Sequence, residues 1–117
     1  MHPTVLIVDD HPSFRMFARV LLEREGFAVV GEAGDGAAAL AAAEALRPAI
    51  VLLDVQLPGL DGFEVAERLA ATANPPAVVL ISTRRAAAYG SRLERATVRG
   101  FIPKTSLSGA ALAALVT

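Results

Sequence analysis

The sequence has no cysteine, which excludes disulfide bonds and metal sites built on thiolates. It also has no apolar run approaching the roughly 20 residues that span a bilayer. The few residues before the first apolar run leave no room for a signal peptide. We therefore expect a cytoplasmic protein without a membrane partner. A length of 117 residues suits a single domain, 1–117, with a core of its own.

Charge of either sign is not in excess, because the chain has 12 acidic and 11 basic residues. The total therefore makes no case for nucleic acid or membrane binding. The distribution is uneven: residues 1–72 hold 11 acids and 5 bases, a net charge of −6, and residues 73–117 hold 1 acid and 6 bases, a net charge of +5. Such asymmetry could hold an ion between the two parts. Lys104 is the only lysine, in a chain that otherwise uses arginine.

Apolar runs alternate with helical patterns along the whole chain. Alternation of this kind predicts an α/β fold in which a parallel sheet carries helices on both faces. The predicted strands are 5–8, 27–32 (exposed or edge-like), 50–54, 77–81 and 100–102. The predicted helices are 12–25, 35–47, 63–72, 86–96 (basic and loose) and 106–116. Pro12 suits a first helical turn, and Asp35 and Ser106 are the predicted helix caps.

The first predicted helix has a regular apolar pattern. Its apolar residues recur with helical spacing, which predicts that they all face the core. They are Phe14, Phe17, Ala18, Leu21 and Leu22.

Four of the five predicted strands end on a polar or charged residue. Asp9 and Asp10 follow the first strand, Asp54 ends the third, Ser82 follows the fourth and Lys104 follows the fifth. Taken singly, each has an ordinary explanation, because polar residues usually begin where strands end. Since the carboxyl ends of parallel strands share one edge, where ligands bind in such sheets, we expect all five side chains to meet there.

The residue types at this edge suit a phosphoryl group. Three neighbouring carboxylates repel one another unless a cation intervenes, and an all-oxygen ligand set suits Mg²⁺. Lys104 adds a mobile positive charge, and Ser82 adds a hydroxyl. We expect Asp54 to present an exposed carboxylate that acts as a nucleophile and forms an aspartyl-phosphate. His11 is interpreted as a helix-start residue rather than a metal ligand.

The whole chain resembles the receiver domains of bacterial two-component response regulators, with the motifs in family order and at family spacing. These motifs are Asp9-Asp10-His11-Pro12, Gly31-Glu32-Ala33 with Asp35-Gly36, Leu53-Asp54, Leu57-Pro58-Gly59 with Asp61-Gly62, Val79-Leu80-Ile81-Ser82, and Gly100-Phe101-Ile102-Pro103-Lys104. The resemblance implies a flavodoxin-like (βα)5 fold with strand order 2-1-3-4-5.

The resemblance also implies roles at these positions. Asp54 would accept a phosphoryl group from a phosphohistidine of a sensor histidine kinase. The implied Mg²⁺ ligands are Asp10, Asp54 and the backbone carbonyl of Gln56, with Asp9 orienting a bound water. Lys104 would pair with the phosphoryl oxygens.

Two further positions would form the switch of such a domain. Ser82 would move to the phosphoryl group, and the aromatic ring of Phe101 would turn inward as Ser82 moves. That is a two-state element biased by a local change in charge.

Three features depart from the family pattern. Pro103 precedes Lys104, whereas many receivers have a proline after the lysine, so the turn there can differ. Thr83 stands where a smaller residue is usual and could crowd the switch. Gln56 and Arg84 stand where side chains flank the attacking water, which leaves the lifetime of the phosphorylated state open.

Two interpretations from other classes remain at the level of sequence. A Mg²⁺-dependent phosphatase with an aspartate nucleophile would also use Asp54, but such enzymes usually place a second aspartate where Gln56 stands. A pseudo-receiver, an interaction module without phosphorylation, would lack part of the acidic pair or Lys104. The receiver interpretation describes no enzyme beyond a domain that catalyses its own phosphoryl transfer and dephosphorylation.

The last third of the chain is the predicted output surface. Residues 105–117 carry no charge, and we expect that Leu107, Leu112, Leu115 and Val116 cannot all face one core, which leaves an apolar patch. Arginines stand beside it, either as a solvated basic face or as part of a partner site; they are Arg84, Arg85, Arg92, Arg95 and Arg99. We expect a homodimer or an output partner to bind through residues 84–117.

No helix-turn-helix pattern follows the last predicted helix. We therefore expect either a stand-alone receiver or one excised from a larger regulator. DNA binding is expected only if a helix-turn-helix domain is missing from this chain.

Overall fold

A five-stranded parallel sheet forms the centre of the computed structural model, which describes residues 2–117. Its strand order, β2-β1-β3-β4-β5, confirms the flavodoxin-like α/β prediction. The strands are β1 (Thr4–Val8), β2 (Ala28–Ala33), β3 (Ile50–Asp54), β4 (Ala77–Ser82) and β5 (Gly100–Pro103). The helices are α1 (Pro12–Arg24), α2 (Gly36–Leu46), α3 (Gly62–Ala70), α4 (Ser91–Arg95) and α5 (Gly109–Val116).

The three central strands are apolar along nearly their whole length because both faces of the sheet are covered. Side chains of β1, β3 and β4 alternate between two separate apolar clusters, one on each face. Strand β3 lies between β1 and β4, with Leu53 beside Val8 and Asp54 beside Ile81. The first-strand acids and the Ser82 end of β4 therefore reach the same edge as Asp54.

Several helix boundaries follow local chemistry that the sequence displays. Pro12 opens α1, Asp35 caps α2 by accepting a hydrogen bond of 2.8 Å from the backbone N–H of Ala38, and Pro48 follows the end of α2. Asp61 caps α3 in the same way, through the N–H of Glu64 at 3.0 Å. Helix α3 is nevertheless shorter than predicted, and it starts at Gly62 rather than at residue 63.

The prediction that Phe17 faces the core is wrong. Its side chain is 55% exposed, beside the exposed Met16 and Val20, whereas Ala18 and Leu22 are buried. The buried face of α1 is narrower than the apolar pattern, because this helix packs on the sheet through one narrow stripe. Phe14 lies at the border, partly buried, and packs against the core.

The predicted helix 86–96 divides into two short pieces. A 3₁₀ turn covers Ala86–Ala88, and α4 covers only Ser91–Arg95. Gly90 separates them with a φ of +52°, in the region that favours glycine. Neither piece contains a buried residue. The sequence predicted one loose helix at 86–96, and the structure instead has a break in it at Gly90.

The last helix differs from its prediction in start and in packing. A 3₁₀ turn, Lys104–Ser106, precedes it, so the cap is Ser108, whose Oγ accepts from the N–H of Ala111 at 3.0 Å, and not Ser106. The prediction that four apolar side chains cannot share one core is also wrong. All four lie in or against the same cluster: Leu107, Leu112, Leu115 and Val116.

Candidate functional site

The acidic pair after β1 divides into one buried and one exposed carboxylate. Asp9 is fully buried, and its backbone N–H donates to the carbonyl of Ala33 at 3.0 Å, which continues the sheet pairing by one residue. Asp10 turns outward and is exposed. Arg15, which the sequence did not single out, donates from Nη1 to the carbonyl of Asp9 at 2.6 Å and thereby fixes this turn from α1.

Asp54 lies at the centre of the site and is only 2% exposed, so the prediction of an exposed carboxylate is wrong. Its Oδ1 accepts from the N–H of Gln56 at 3.0 Å. Its Oδ2 lies 3.1 Å from Nζ of Lys104, and the same Nζ lies 2.5 Å from Oδ2 of Asp9. One ammonium group thus closes over two buried carboxylates.

This pairing changes how readily the groups ionise. Burial raises the pKa of Asp54 above its ordinary 3.8, although the Gln56 N–H and the Lys104 charge act in the opposite direction. Burial alone would lower the pKa of Lys104, but the carboxylates of Asp9 and Asp54 raise it above 10.5. The two carboxylates thus favour the charged form of Lys104, and Lys104 favours the ionised form of Asp54 against the effect of burial.

A set of potential metal ligands surrounds this pair. Carboxylate oxygens of Asp9, Asp10 and Asp54 and a ring nitrogen of His11 all lie within 4.8 Å of one another. Nδ1 of His11 lies 3.2 Å from Oδ1 of Asp9 and 3.1 Å from Oδ1 of Asp10. Oδ2 of Asp9 is buried and faces the Lys104 ammonium. Dense oxygen ligands of this kind fit a hard divalent cation.

Gly62 lies directly against the backbone of Asp54 and Val55. A Cβ atom at position 62 would lie 2.4 Å from the backbone oxygen of Asp54 and 2.7 Å from Cα of Val55. The N–H of Gly62 also donates to the carbonyl of Val55 at 2.8 Å. In the sequence, Gly62 suggests only a turn. In the structure, it allows α3 to begin directly against the strand end that presents Asp54.

Lys104 reaches the site because β5 ends at Pro103 and the chain then turns through Lys104–Ser106. Its Nζ lies 4.6 Å from the centre of the Phe14 ring, a cation–π contact between α1 and the site. Phe14 therefore borders the charged group as well as packing on the core. The helical spacing of Phe14 predicted only the packing.

Ser82 and Phe101, the predicted switch residues, face a third residue. Ser82 is fully buried, and its Oγ lies 2.5 Å from the hydroxyl of Tyr89. The ring centres of Tyr89 and Phe101 are 5.9 Å apart. The sequence offered one signal for Tyr89, a lone tyrosine within a basic segment, and its contacts depend on tertiary packing.

Comparison with known proteins agrees with this geometry. Residues 5–116 match the family model for the response regulator receiver domain. The chain belongs to that family. It is 38% identical over 104 residues to BvgA of Bordetella pertussis, described as a positive transcription regulator of virulence factors, covering 89% of this chain and 50% of BvgA. It is 44% identical over 82 residues to the DNA-binding response regulator MtrA of Mycolicibacterium smegmatis, covering 68% of this chain and 35% of MtrA.

Solved structures of receivers have the same fold. The signal receiver domain of NarL from Mycobacterium tuberculosis superposes with a TM-score of 0.86 at 35% identity, covering 97% of this chain and 96% of that one. The isolated receiver domain of RcsB from Salmonella enterica, determined with the phosphomimetic BeF₃⁻, superposes with a TM-score of 0.86 at 25% identity, covering 98% of this chain and 88% of that one.

This receiver chain spans about half the length of BvgA, a curated relative, and 35% of MtrA. The bounds of the expected single domain, 1–117, stay a prediction. None of the helices in residues 2–117 combines the length and the apolar character needed to cross a bilayer.

One surface pair ties α4 to the receiver core beside the site. Nη2 of Arg92 donates to Oδ2 of Asp61 at 2.7 Å, and the same guanidinium lies 4.5 Å from the centre of the Phe63 ring. Burial would raise the pKa of Asp61, but the Arg92 hydrogen bond and the α3 N–H groups lower it below 3.8. The pair anchors a segment that has no buried side chain of its own.

We expect Asp61→Asn to test this pair through pH. Asparagine keeps the helix cap and removes the charge. Because the folded-state pKa of Asp61 is depressed, its stabilisation is present above 3.8 and is lost as pH falls through the folded value. At pH 7 the variant should lose less than about 1 kcal/mol in free energy of unfolding, since the pair is partly exposed.

Urea unfolding of both proteins from pH 7 down to the acid limit of folding measures this difference. Asp35→Asn is the matched control, because Asp35 caps α2 and has no ion pair among the described residues. A difference for Asp61→Asn that is as large in acid as at pH 7 would contradict the expectation.

Proposed function

We propose that Asp54 accepts a phosphoryl group from a phosphohistidine of a sensor histidine kinase, as the phosphorylation site of a two-component response regulator. The observation that carries this proposal is the pairing of one ammonium with two buried carboxylates at a strand end, with further carboxylate oxygen beside them. A purely structural role would not require an acidic cluster that repels itself. Family membership supports the same interpretation.

Mg²⁺ is the proposed cofactor. Asp10 and Asp54 would bind it together with the backbone carbonyl of Gln56, while Asp9 would orient a bound water. The clustering of the carboxylate oxygens supports this set. When bound, the cation supplies positive charge that neutralises the carboxylates and the phosphoryl oxygens.

The proposed transfer forms a bond between a carboxylate oxygen of Asp54 and phosphorus, while the phosphorus–nitrogen bond to the donor imidazole breaks. The bonding pair leaves with the imidazole nitrogen. Lys104 moves from the carboxylates to the phosphoryl oxygens, where it balances their charge. Because Asp54 is buried, transfer also requires the side chains that cover it to shift.

The proposed catalytic scope is narrow. The domain would carry out its own phosphorylation and dephosphorylation, with Gln56 and Arg84 beside the path of the attacking water. Ser82 would then bond to the phosphoryl group and Phe101 would turn inward.

A phosphorylation assay tests the proposal. Incubation with acetyl phosphate and Mg²⁺, followed by intact-mass measurement, should show one phosphoryl adduct on the wild type and none on Asp54→Asn. Asp61→Asn is the matched control and should accept the group, because its carboxylate caps α3 outside the acidic cluster. An adduct on both wild type and Asp54→Asn would place the acceptor elsewhere. Turnover of a generic phosphate ester would favour a phosphatase.

The proposed output surface is the face formed by residues 84–117, which would bind a second copy or an output partner. The arginines at positions 84, 85, 92, 95 and 99 are exposed and support a charged contact surface. The apolar side chains of α5 support it less than the sequence indicated, because they pack on the core.

We expect phosphorylation to change self-association or partner binding through this face. Sedimentation of wild type phosphorylated with acetyl phosphate should differ from that of Asp54→Asn under identical conditions. Equal association of the two proteins would count against control by phosphorylation.

The proposal for the whole protein is a cytoplasmic regulator. Its relatives include transcription regulators, so DNA binding would belong to a further domain outside this chain. The receiver would be its regulatory unit.

A further inference from the structure

The hydroxyl of Ser82 has two partners in the segment that follows β4. Its Oγ accepts a hydrogen bond from the backbone N–H of Arg84 at 3.0 Å and lies 2.5 Å from the hydroxyl oxygen of Tyr89. Since Ser82 is fully buried, bulk water cannot replace either partner. The N–H of Arg84 uses one lone pair of this hydroxyl, and either hydroxyl can donate in the contact between Ser82 and Tyr89.

The ring of Tyr89 is fixed by aromatic contacts on two sides. It lies edge-on to Phe63, with ring centres 5.6 Å apart, and tilted against Phe101 at 5.9 Å. Tyr89 directly follows the 3₁₀ turn Ala86–Ala88 and precedes α4. Its hydroxyl is therefore the polar link from this weakly buried segment to the end of β4.

We propose that Tyr89 is a positioning residue that holds Ser82 in the unphosphorylated state. This inference rests on the proposed phosphorylation of Asp54. Movement of the Ser82 hydroxyl to a phosphoryl group on Asp54 would break its 2.5 Å contact with Tyr89, and Tyr89 then loses its buried partner. The segment from Ala86 to Arg95 is thereby released from β4.

Phe101 cannot hold Ser82 in this way, because it has no hydroxyl. The two aromatic residues have different roles. Tyr89 makes the polar contact with the Ser82 hydroxyl, and Phe101 provides a surface on which the Tyr89 ring packs. Phe101 on β5 is therefore a neighbour of the switch. The polar contact with Ser82 comes from Tyr89, in the segment before α4.

Tyr89→Phe tests the hydroxyl alone, because it keeps the ring and its aromatic contacts. A neutral hydrogen bond is worth a shift of about fivefold in a two-state equilibrium. We expect phosphorylation by acetyl phosphate to be about fivefold faster in Tyr89→Phe, and BeF₃⁻ to bind about fivefold more tightly in the presence of Mg²⁺.

A double-mutant cycle with Ser82→Ala separates positioning from general packing. In the Ser82→Ala background, Tyr89→Phe should leave the phosphorylation rate unchanged, since the hydroxyl has no partner to hold. An equal effect of Tyr89→Phe in both backgrounds would overturn the proposal, and so would a slower rate in the single variant.

A spectroscopic signal reports the contact directly. Tyr89 is the only tyrosine, and the chain has no tryptophan, so protein labelled with 3-fluorotyrosine has one ¹⁹F resonance. Ser82→Ala should shift this resonance in the resting protein, and BeF₃⁻ with Mg²⁺ should shift it in the wild type but not in Asp54→Asn.

Different results would contradict the phosphorylation of Asp54 and the role of Tyr89. If intact mass shows no phosphoryl adduct on the wild type, the proposed function fails, and the switch that depends on it fails too. If the adduct forms but the Tyr89 resonance stays in place, only the role of Tyr89 is overturned.

Discussion

Lys104→Met should lower the free energy of unfolding by about 3 kcal/mol at neutral pH without Mg²⁺. Methionine keeps the length and apolar stem of the side chain and removes the ammonium. Two buried carboxylates, Asp9 and Asp54, are then left without their shared cation. Uncompensated buried charge is among the most destabilising changes that a single substitution makes.

The same substitution should slow phosphorylation by acetyl phosphate at least about a hundredfold, because it removes a preorganised positive charge from the transferring group. Urea unfolding and intact-mass kinetics measure the two effects. Adding Mg²⁺ should recover part of the lost stability, since a cation that binds only the folded state favours it.

Arg85→Met is the matched control for charge, because Arg85 is exposed and makes no ion pair among residues 2–117. It should change stability by less than about 0.5 kcal/mol. If Lys104→Met is no more destabilising than this control, the ammonium does not hold the buried carboxylates together.

Gly62→Ala should destabilise the fold by about 3 kcal/mol, the upper part of the usual range for overpacking. The added methyl group meets backbone atoms of Asp54 and Val55 at 2.4 and 2.7 Å, and backbone cannot move aside as a flexible side chain can. Either α3 or the end of β3 must shift. The Asp54 carboxylate, the proposed acceptor, then moves relative to Lys104, so phosphorylation should slow as well.

Gly34→Ala provides the comparison, because a methyl group there meets only the end of the Arg15 side chain, at 3.5 Å. Its free energy of unfolding should stay within about 0.5 kcal/mol of wild type. A Gly62→Ala protein as stable and as readily phosphorylated as Gly34→Ala would show that the close approach of α3 does not position Asp54.

The strands and the site were predictable because each rests on a local pattern. Buried strands of a parallel sheet appear as short apolar runs, and the chain order of those runs brings Asp9, Asp54 and Lys104 to one edge. Sequence spacing could not indicate that Asp54 would be buried, because burial depends on how Lys104 folds back over it.

Several of the errors have a common physical origin in contacts between distant parts of the chain. Ser106 and Ser108 are equally good caps by composition, but the turn that brings Lys104 to the site delays α5 until Gly109. The carboxylate of Glu25 then accepts from the N–H of Gly109 at 2.6 Å, across 84 residues of sequence. Helical spacing likewise placed Phe17 inward, although the sheet covers only a narrow stripe of α1.

The break in the predicted helix 86–96 has a local signal in the sequence, Gly90. A glycine inside a helical pattern weakens the prediction of a continuous helix, and Gly90 marks the point where the predicted helix 86–96 breaks.

No side chain of α4 is buried. Inherited changes in what this helix binds are therefore largely independent of the requirements of folding. Substitutions at its exposed positions Ser91, Glu94 and Arg95 alter what the surface presents to other molecules and leave the apolar interior intact. Duplicated copies of such a gene could therefore diverge in their binding preferences at these exposed positions without first acquiring compensating changes elsewhere.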